Sequence, residues 1–426
     1  MHRRWSPVLA ALGLLFCVAS TSRAQLLRGP EMVINAARAG RQTAPDVAIA
    51  ADGRFVAVWV SGGPGAANVM ARLLGADGTP KTGDLRVSAL DPGFQGHPRV
   101  AMAADGRFVV VWSARTSVQA PSRVYGQLFK ADGKPVGQRF RLGTSPVHEQ
   151  FEPDVARMPD GRFIAAWTED DGAADPQTGD PTTDVMARRF SADGKALAKE
   201  WPAAGGRLYQ YSPAVAVSST GAFVIAVEEL TATEALDIWQ SRVYGKVYGP
   251  DAKLRSSLTL PVSVPTGEIQ AQAAVAMAAD GSCLLAWADS KADPVDSDFW
   301  NSPAGILVQR FDAKGVRIGN AIHGNTTTLH VQSEPALVLA PDGGFLVTWT
   351  DAGWKDGDNR GVYAQRFAAN GTKIGPETLL AAWTKGNQVQ TAVAANLLGQ
   401  GIMVWQSEGS DGSDFGVAGR RVGLKP

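Results

Sequence analysis

Cysteine is almost missing from this chain: Cys17 and Cys283 are the only two in 426 residues. Two thiols cannot build a disulfide scaffold, so the fold must rely on packing. Net charge is missing as well, with 41 Lys and Arg against 41 Asp and Glu. That balance lacks the basic footprint of a nucleic-acid-binding protein. No apolar run is long enough to span a bilayer stably, the longest candidate being Val8 to Val18. Motifs of nucleophilic and phosphate chemistry are absent too: there is no G-x-S-x-G elbow, no telling Ser and His pair, and no phosphate-cradling glycine loop.

What is present begins with an address. Arg3 and Arg4 precede the apolar run, and Ser22-Arg23-Ala24 offers small residues for cleavage before Gln25. This pattern reads as a secretory signal peptide over residues 1–24. Phe16 is too bulky for the small residue that a lipid anchor at Cys17 would need, which favours export without one. Cleavage would leave 38 cationic against 41 acidic side chains, a formal charge of about −3. It would also leave Cys283 as the sole cysteine. That residue stands where other repeats carry Phe55, Phe108, Phe163, Phe223 and Phe345, and reads as a small buried hydrophobe.

The mature chain is repetitive. Gln42, Gln95, Gln150, Gln210, Gln270, Gln332 and Gln388 are each followed seventeen residues later by Trp59, Trp112, Trp167, Val227, Trp287, Trp349 and Trp405. Between them the eleventh position is always Gly, from Gly53 to Gly399. Units this short cannot bury a core alone, so one domain of seven units is expected rather than several domains. The 47 glycines and 25 prolines suit short strands joined by turns, and long helices are not expected.

Each frame reads as a hairpin. In "PDVAIAADGRFVAVW", Val47 and Ile49 alternate with small residues, Asp52-Gly53 supplies positive φ angles for a tight turn, and Phe55 to Trp59 returns. A third strand starts near Val69, Val124, Val185, Val243, Ile306, Val362 and Val417, and a short fourth follows. Four antiparallel strands with a small-residue first strand fit a propeller blade, whose innermost strands crowd an axis. The expected fold is all-β, a seven-bladed β-propeller over residues 25–426, with blades at about 41–93, 94–148, 149–209, 210–267, 268–330, 331–386 and 387–426. The last unit stops after three strands, while residues 28–38 read as a fourth strand without its predecessors. Joining them closes the ring and hides its edge.

At this level "DGGFLVTWTDAGWKDGDNRGVYAQRFAANGTKIG" resembles the repeats of bacterial exported proteins found within large calcium-binding or adhesin-like chains. The likeness spans nearly all of the mature chain and implies an exported interaction module. It brings no catalytic residue with it, and the glycine-rich nonapeptide calcium repeats that often accompany such units are absent.

Chemistry, if any, is expected in the variable connections after the Trp slot, which hold 9 to 18 residues while the frame never changes. The third to seventh connections hold 20 of the 41 acids, among them Asp170, Asp171, Glu228, Asp289 and Asp351. Aromatics interleave with them at Trp239, Trp300, Trp354 and Phe415. Indole faces beside carboxylates suit sugar rings, and clustered carboxylates suit cations. Solubility alone also accounts for Asp-rich loops, and anchoring accounts for their aromatics. The preferred function is a noncatalytic exported binding or interaction module, a monomer that meets a glycan or protein partner at the cell envelope. A carbohydrate-active enzyme using loop carboxylates is the alternative. No cofactor is expected. Weak calcium binding is the most the spacing allows, since "DGDN" at Asp356 and "DGSD" at Asp411 are fragments of a calcium loop. The seven Gln side chains read as structural, and His97, His148 and His330 as solvated.

Overall fold

The computed structural model of this chain describes residues 26–63, 67–88, 93–117, 119–174, 181–206, 209–233, 238–260, 268–291, 304–327 and 330–425. The expected leader 1–24, Trp300 and seven of the loop acids, Asp175, Asp180, Glu234, Asp237, Asp293, Asp296 and Asp298, lie outside the described residues. Every regular element within them is a β-strand. No helix among them is long and apolar enough to cross a membrane.

Each frame folds as a hairpin, with one refinement of the expected turn. Only its glycine is left-handed: the seven frame glycines have φ between 72° and 90°, and Asp52 does not share that conformation. Gly53 N–H donates to Ala50 O at 3.1 Å and Ala50 N–H to Arg54 O at 2.8 Å, the pattern of a type I turn closed by a G1 bulge. The Asp52 carboxylate accepts Arg54 N–H at 3.1 Å, which fixes the turn from its side chain.

The hairpins extend into five four-stranded sheets and one eight-stranded sheet. In the sixth repeat, for example, the strands run Gln332–Leu339, Phe345–Asp351, Gly361–Phe367 and Lys373–Leu379, paired in sequence order. The eight-stranded sheet is the fourth and fifth repeats, joined by a single parallel bridge between Ser241 and Ile269. In the third repeat the strands run on to Phe163–Ala174 and Pro181–Phe190. Glu169, Asp170 and Asp171 therefore lie in paired strand, not in the loop that the sequence suggested. The Thr182 hydroxyl, donating to Asp171 at 2.8 Å, helps tie this extension together.

Apolar burial falls between sheets. Phe108, Val110 and Trp112 pack on Val56, Val58 and Val69 of the preceding repeat, and Phe345, Val347 and Trp349 pack on Leu284, Ala286 and Ile306. Phe55, Ala57 and Trp59 of the first repeat pack in the same way on Ile402, Val404 and Val417 of the last. The six frame tryptophans are at most 1% exposed. Val227 leaves a smaller side chain in the fourth repeat, where Trp201, Phe223 and Tyr248 assemble an aromatic cluster, with Trp201 and Tyr248 rings 6.1 Å apart.

The Gln-bearing strand of each repeat contacts that of the next, and the strand of the seventh contacts that of the first. The N-terminal strand Leu27–Val33 pairs antiparallel with Phe415–Gly423, making the fourth strand of the last sheet. Just beyond it, Asn35 Oδ1 accepts Val417 N–H at 2.8 Å while its Nδ2 donates to Asp411 at 2.8 Å. Asn325 repeats this role inside the chain, accepting Ile306 N–H at 2.9 Å and donating to Gln332 at 2.8 Å. The result is a β-propeller-like all-β fold with its frame strands innermost.

Candidate functional site

All seven frame strands carry the same irregularity. Their pairing register shifts just after the Gln, as between Phe151 and Asp154 or Ser333 and Ala336. The residue two places beyond the Gln is left-handed in every case: Ala44, His97, Glu152, Ser212, Gln272, Glu334 and Gln390, with φ from 48° to 58°. Such a conformation costs a non-glycine residue about 1–2 kcal/mol. In the last four repeats it turns a backbone N–H of the bulge toward the preceding repeat. Ser212 N–H donates to Glu152 and to Thr168 Oγ1, both at 3.2 Å. Glu334 N–H donates to Gln272 Oε1 at 2.7 Å, and Gln390 N–H to Glu334 at 2.8 Å and Thr350 Oγ1 at 3.1 Å. Gln272 N–H donates to Glu228.

These bulges line a cavity of about 450 Å³ to which every frame strand contributes. Its lining is uneven. At the position four beyond the Gln stand Asp46, Arg99 and Asp154 in the first three repeats, against Ala214, Ala274, Ala336 and Ala392 in the others. With His97, Glu152, Glu228 and Glu334, five carboxyl groups face one guanidinium and one imidazole.

Burial dominates the ionisation of Asp154, Asp46, Glu228 and His97. It raises the Asp154 carboxyl to about 6, against the nearby Arg99 charge and a hydrogen bond from Val215 N–H that favour the ionised form. Asp46 is raised for the same reason, and it too accepts a backbone donor, Val100 N–H at 2.8 Å. Glu228 is raised to about 7, first by burial and further by the charge of Glu152. Burial pushes His97 down, although much of its ring is open to the cavity, so the imidazole stays neutral at pH 7. Its Nδ1 lies 3.2 Å from Ser113 Oγ. Among the described residues no group of three or more His, Cys, Asp or Glu side chains is arranged to hold a metal ion.

Of the candidate ligand-binding residues read from the sequence, only Glu228 lines this cavity, together with His97, which the sequence reading took as solvated. Asp351 is 1% exposed and bonds Lys355 Nζ at 2.6 Å and Gln332 Nε2 at 3.2 Å. Glu169 and Glu229, at the same place in their repeats, likewise accept from Gln150 and Gln210. Asp289 instead takes the Trp287 indole N–H at 3.0 Å. Asp170 and Asp171 bind backbone N–H groups of their own hairpin. Trp354 stands 71% exposed, and the Phe415 ring lies 4.9 Å from the Arg41 guanidinium. Trp239 is placed only by its backbone, opposite Ala232. Sequence reasoning missed Asp46, Arg99, Glu152, Asp154 and Glu334. Their signal was there, as charged side chains interrupting strands otherwise built of Ala, Val and Pro.

No protein-family model matches the chain, and no curated protein matches it by sequence. Its fold is shared by solved structures. An ulvan lyase of a new polysaccharide lyase family, bound to -[GlcA(1-4)Rha3S]-, superposes with a TM-score of 0.61 at 11% identity, covering 93% of this chain and 96% of that one. A protein of unknown function from Dyadobacter fermentans gives 0.53 at 13% identity over 78% and 95%. The endosialidase of phage phi92 gives 0.52 at 10% identity over 94% and 70%. At such identities the likeness is one of fold.

Proposed function

We propose that this chain is an exported seven-bladed β-propeller, closed by its N-terminal strand, that works as a monomeric glycan-binding module of the cell envelope. The unbroken series of contacts among the frame strands, and the matching roles of Asn35 and Asn325, support the ring. The observation that carries the binding reading is the cavity at its centre, where carboxylates outnumber cationic groups and a hydroxyl-rich sugar would find acceptors. Arg99 supplies one fixed donor beside them. Exposed Trp354 offers a further stacking face outside the cavity. On a glycan array the protein is expected to retain particular sugars unchanged. Arg99→Ala and Asp154→Asn should each weaken that binding about tenfold, the cost of a hydrogen bond to a charged group. Unaltered binding by both variants would sink the proposed site.

A second reading, a carbohydrate-active enzyme, is favoured by one observation. Glu228 holds its proton up to about pH 7, and Glu152 is a second carboxyl lining the same cavity, the kind of pair that acid and base catalysis on a glycoside needs. Release of reducing ends by the wild type, lost in Glu228→Gln, would establish this reading over the first.

Calcium is expected to act weakly on either reading. The Asp411 carboxylate is already engaged by Asn35 Nδ2 and by Ser413 N–H, which leaves the "DGSD" fragment little to offer an ion. A calcium titration followed by calorimetry should show a small shift in melting temperature that sodium partly reproduces. A saturable micromolar site would overturn this expectation.

A further inference from the structure

A second cavity, of about 860 Å³, is lined by the far ends of the frame strands, around the turns that follow them. Its volume falls in the roughly 300–1,000 Å³ range of small-molecule sites, and Val217, Met277, Cys283, Phe311 and Leu339 make its wall apolar. One cause is visible in the repeats. In four of them the first residue of the second strand stacks on a ring of the third: Phe108 on Phe129 at 4.7 Å, Phe163 on Phe190 at 4.9 Å, Phe223 on Tyr248 at 5.0 Å and Phe345 on Phe367 at 4.7 Å. In the fifth repeat Cys283 stands opposite Phe311 in the same register, and one ring of the pair is gone. Burial pushes its thiol up to about 12, so it stays a protonated, unreactive wall.

Charge is supplied at the edge of this space. Arg157 lines it, and its buried Nε and Nη1 have no hydrogen-bond partner among the described residues. Burial also disfavours its charge. The Asp280 carboxylate, which lines the cavity too, already accepts Ser282 N–H at 2.9 Å and its hydroxyl at 2.7 Å. Leu397, 90% exposed, stands at the rim.

We propose that this cavity binds a fatty acid, its acyl chain in the space left by the missing ring against Phe311 and its carboxylate in the field of Arg157. Arg310 lines the cavity too but is engaged by Asn370 O, so an apolar wall with one under-compensated cation, Arg157, fits a chain that carries a single negative charge at one end. This site shares Val275 and Leu337 with the carboxylate-lined cavity but none of its charged groups, and it does not depend on the glycan reading.

The test uses displacement of a fluorescent fatty acid by dodecanoate and by dodecanol, with the full-length mature protein. Wild type should bind dodecanoate saturably and dodecanol about tenfold more weakly. Arg157→Gln should lose that preference while keeping dodecanol affinity. Cys283→Phe should restore the stacked pair, raise the melting temperature by a few degrees, and lose both ligands by tenfold or more. Leu339→Trp, which narrows the same space from another repeat, should also weaken both. Absence of saturable binding by wild type overturns the proposal. So does undiminished binding by a folded Cys283→Phe or, should that variant not fold, by Leu339→Trp. Equal loss of dodecanol and dodecanoate in Arg157→Gln would overturn the assigned role of the guanidinium.

Discussion

Removing residues 25–38 is expected to destroy cooperative folding of the whole chain, although it deletes one of the twenty-eight strands among the described residues. The loss is large because Leu27–Val33 covers the edge of Phe415–Gly423, and Ile34, fully buried, packs with Phe55, Trp59 and Val417 between the last and first repeats. Without it, two cores open at once, since Leu26 and Leu27 also pack beside Trp405 and Val422. A single substitution isolates the polar part. Asn35 is 2% exposed and bonds Val417, Asp411 and Ala37, so Asn35→Ala strands buried partners at about 1–3 kcal/mol each and should cost about 2–5 kcal/mol in total. Thermal unfolding followed by circular dichroism checks both. A truncated protein that melts like its parent would disprove closure by this strand.

Changing Glu228 to Gln is expected to stabilise the protein at alkaline pH and to do little at acid pH. The direction follows from proton counting. A carboxyl raised from 4.5 to about 7 in the folded state binds more protons there than in the unfolded chain. Stability therefore falls as pH rises from about 4.5 to about 7 and then levels off. The whole span corresponds to about 3 kcal/mol. Asp154, raised to about 6, adds a smaller term of the same sign, lost over a lower window. The amide of Glu228→Gln has no charge to desolvate and keeps an oxygen for Gln272 and Ala273 N–H. Denaturant unfolding at pH 5 and pH 8.5 should show the variant's advantage only at the higher value. A variant less stable than wild type at pH 8.5 would show that the carboxylate is held ionised by groups outweighing its burial.

The repeats were legible because their reasons are local. A turn needs glycine at one position, and a wedge between sheets needs a large ring, so the frame of Gln, Gly and Trp recurs wherever those needs recur. The site was less legible because its residues are joined across repeats. Asp46, Arg99 and Asp154 share one slot of the frame, yet successive members are 53 and 55 residues apart, and only the assembled sheets bring them to one cavity. Sequence reasoning weighted acid-rich connections instead, where Asp351 and Glu229 prove to be partners of buried Gln side chains. No local pattern distinguishes a carboxylate that bonds a glutamine from one that awaits a ligand. The bulge was hidden for a similar reason, since Ala, His, Glu, Ser, Gln, Glu and Gln fill its left-handed position and share no chemistry.

That bulge also limits how freely the repeats can be exchanged. Because Ser212, Gln272, Glu334 and Gln390 each hand a backbone hydrogen to a side chain of the unit before, what one unit tolerates is set by its predecessor. A copy of the sixth unit inserted after the first would meet Ala44 where Gln272 accepts from Glu334 N–H, and its donor would lose that partner. Units that look interchangeable in sequence are thus keyed to their order, and lengthening such a chain by duplication requires two neighbouring units to change together.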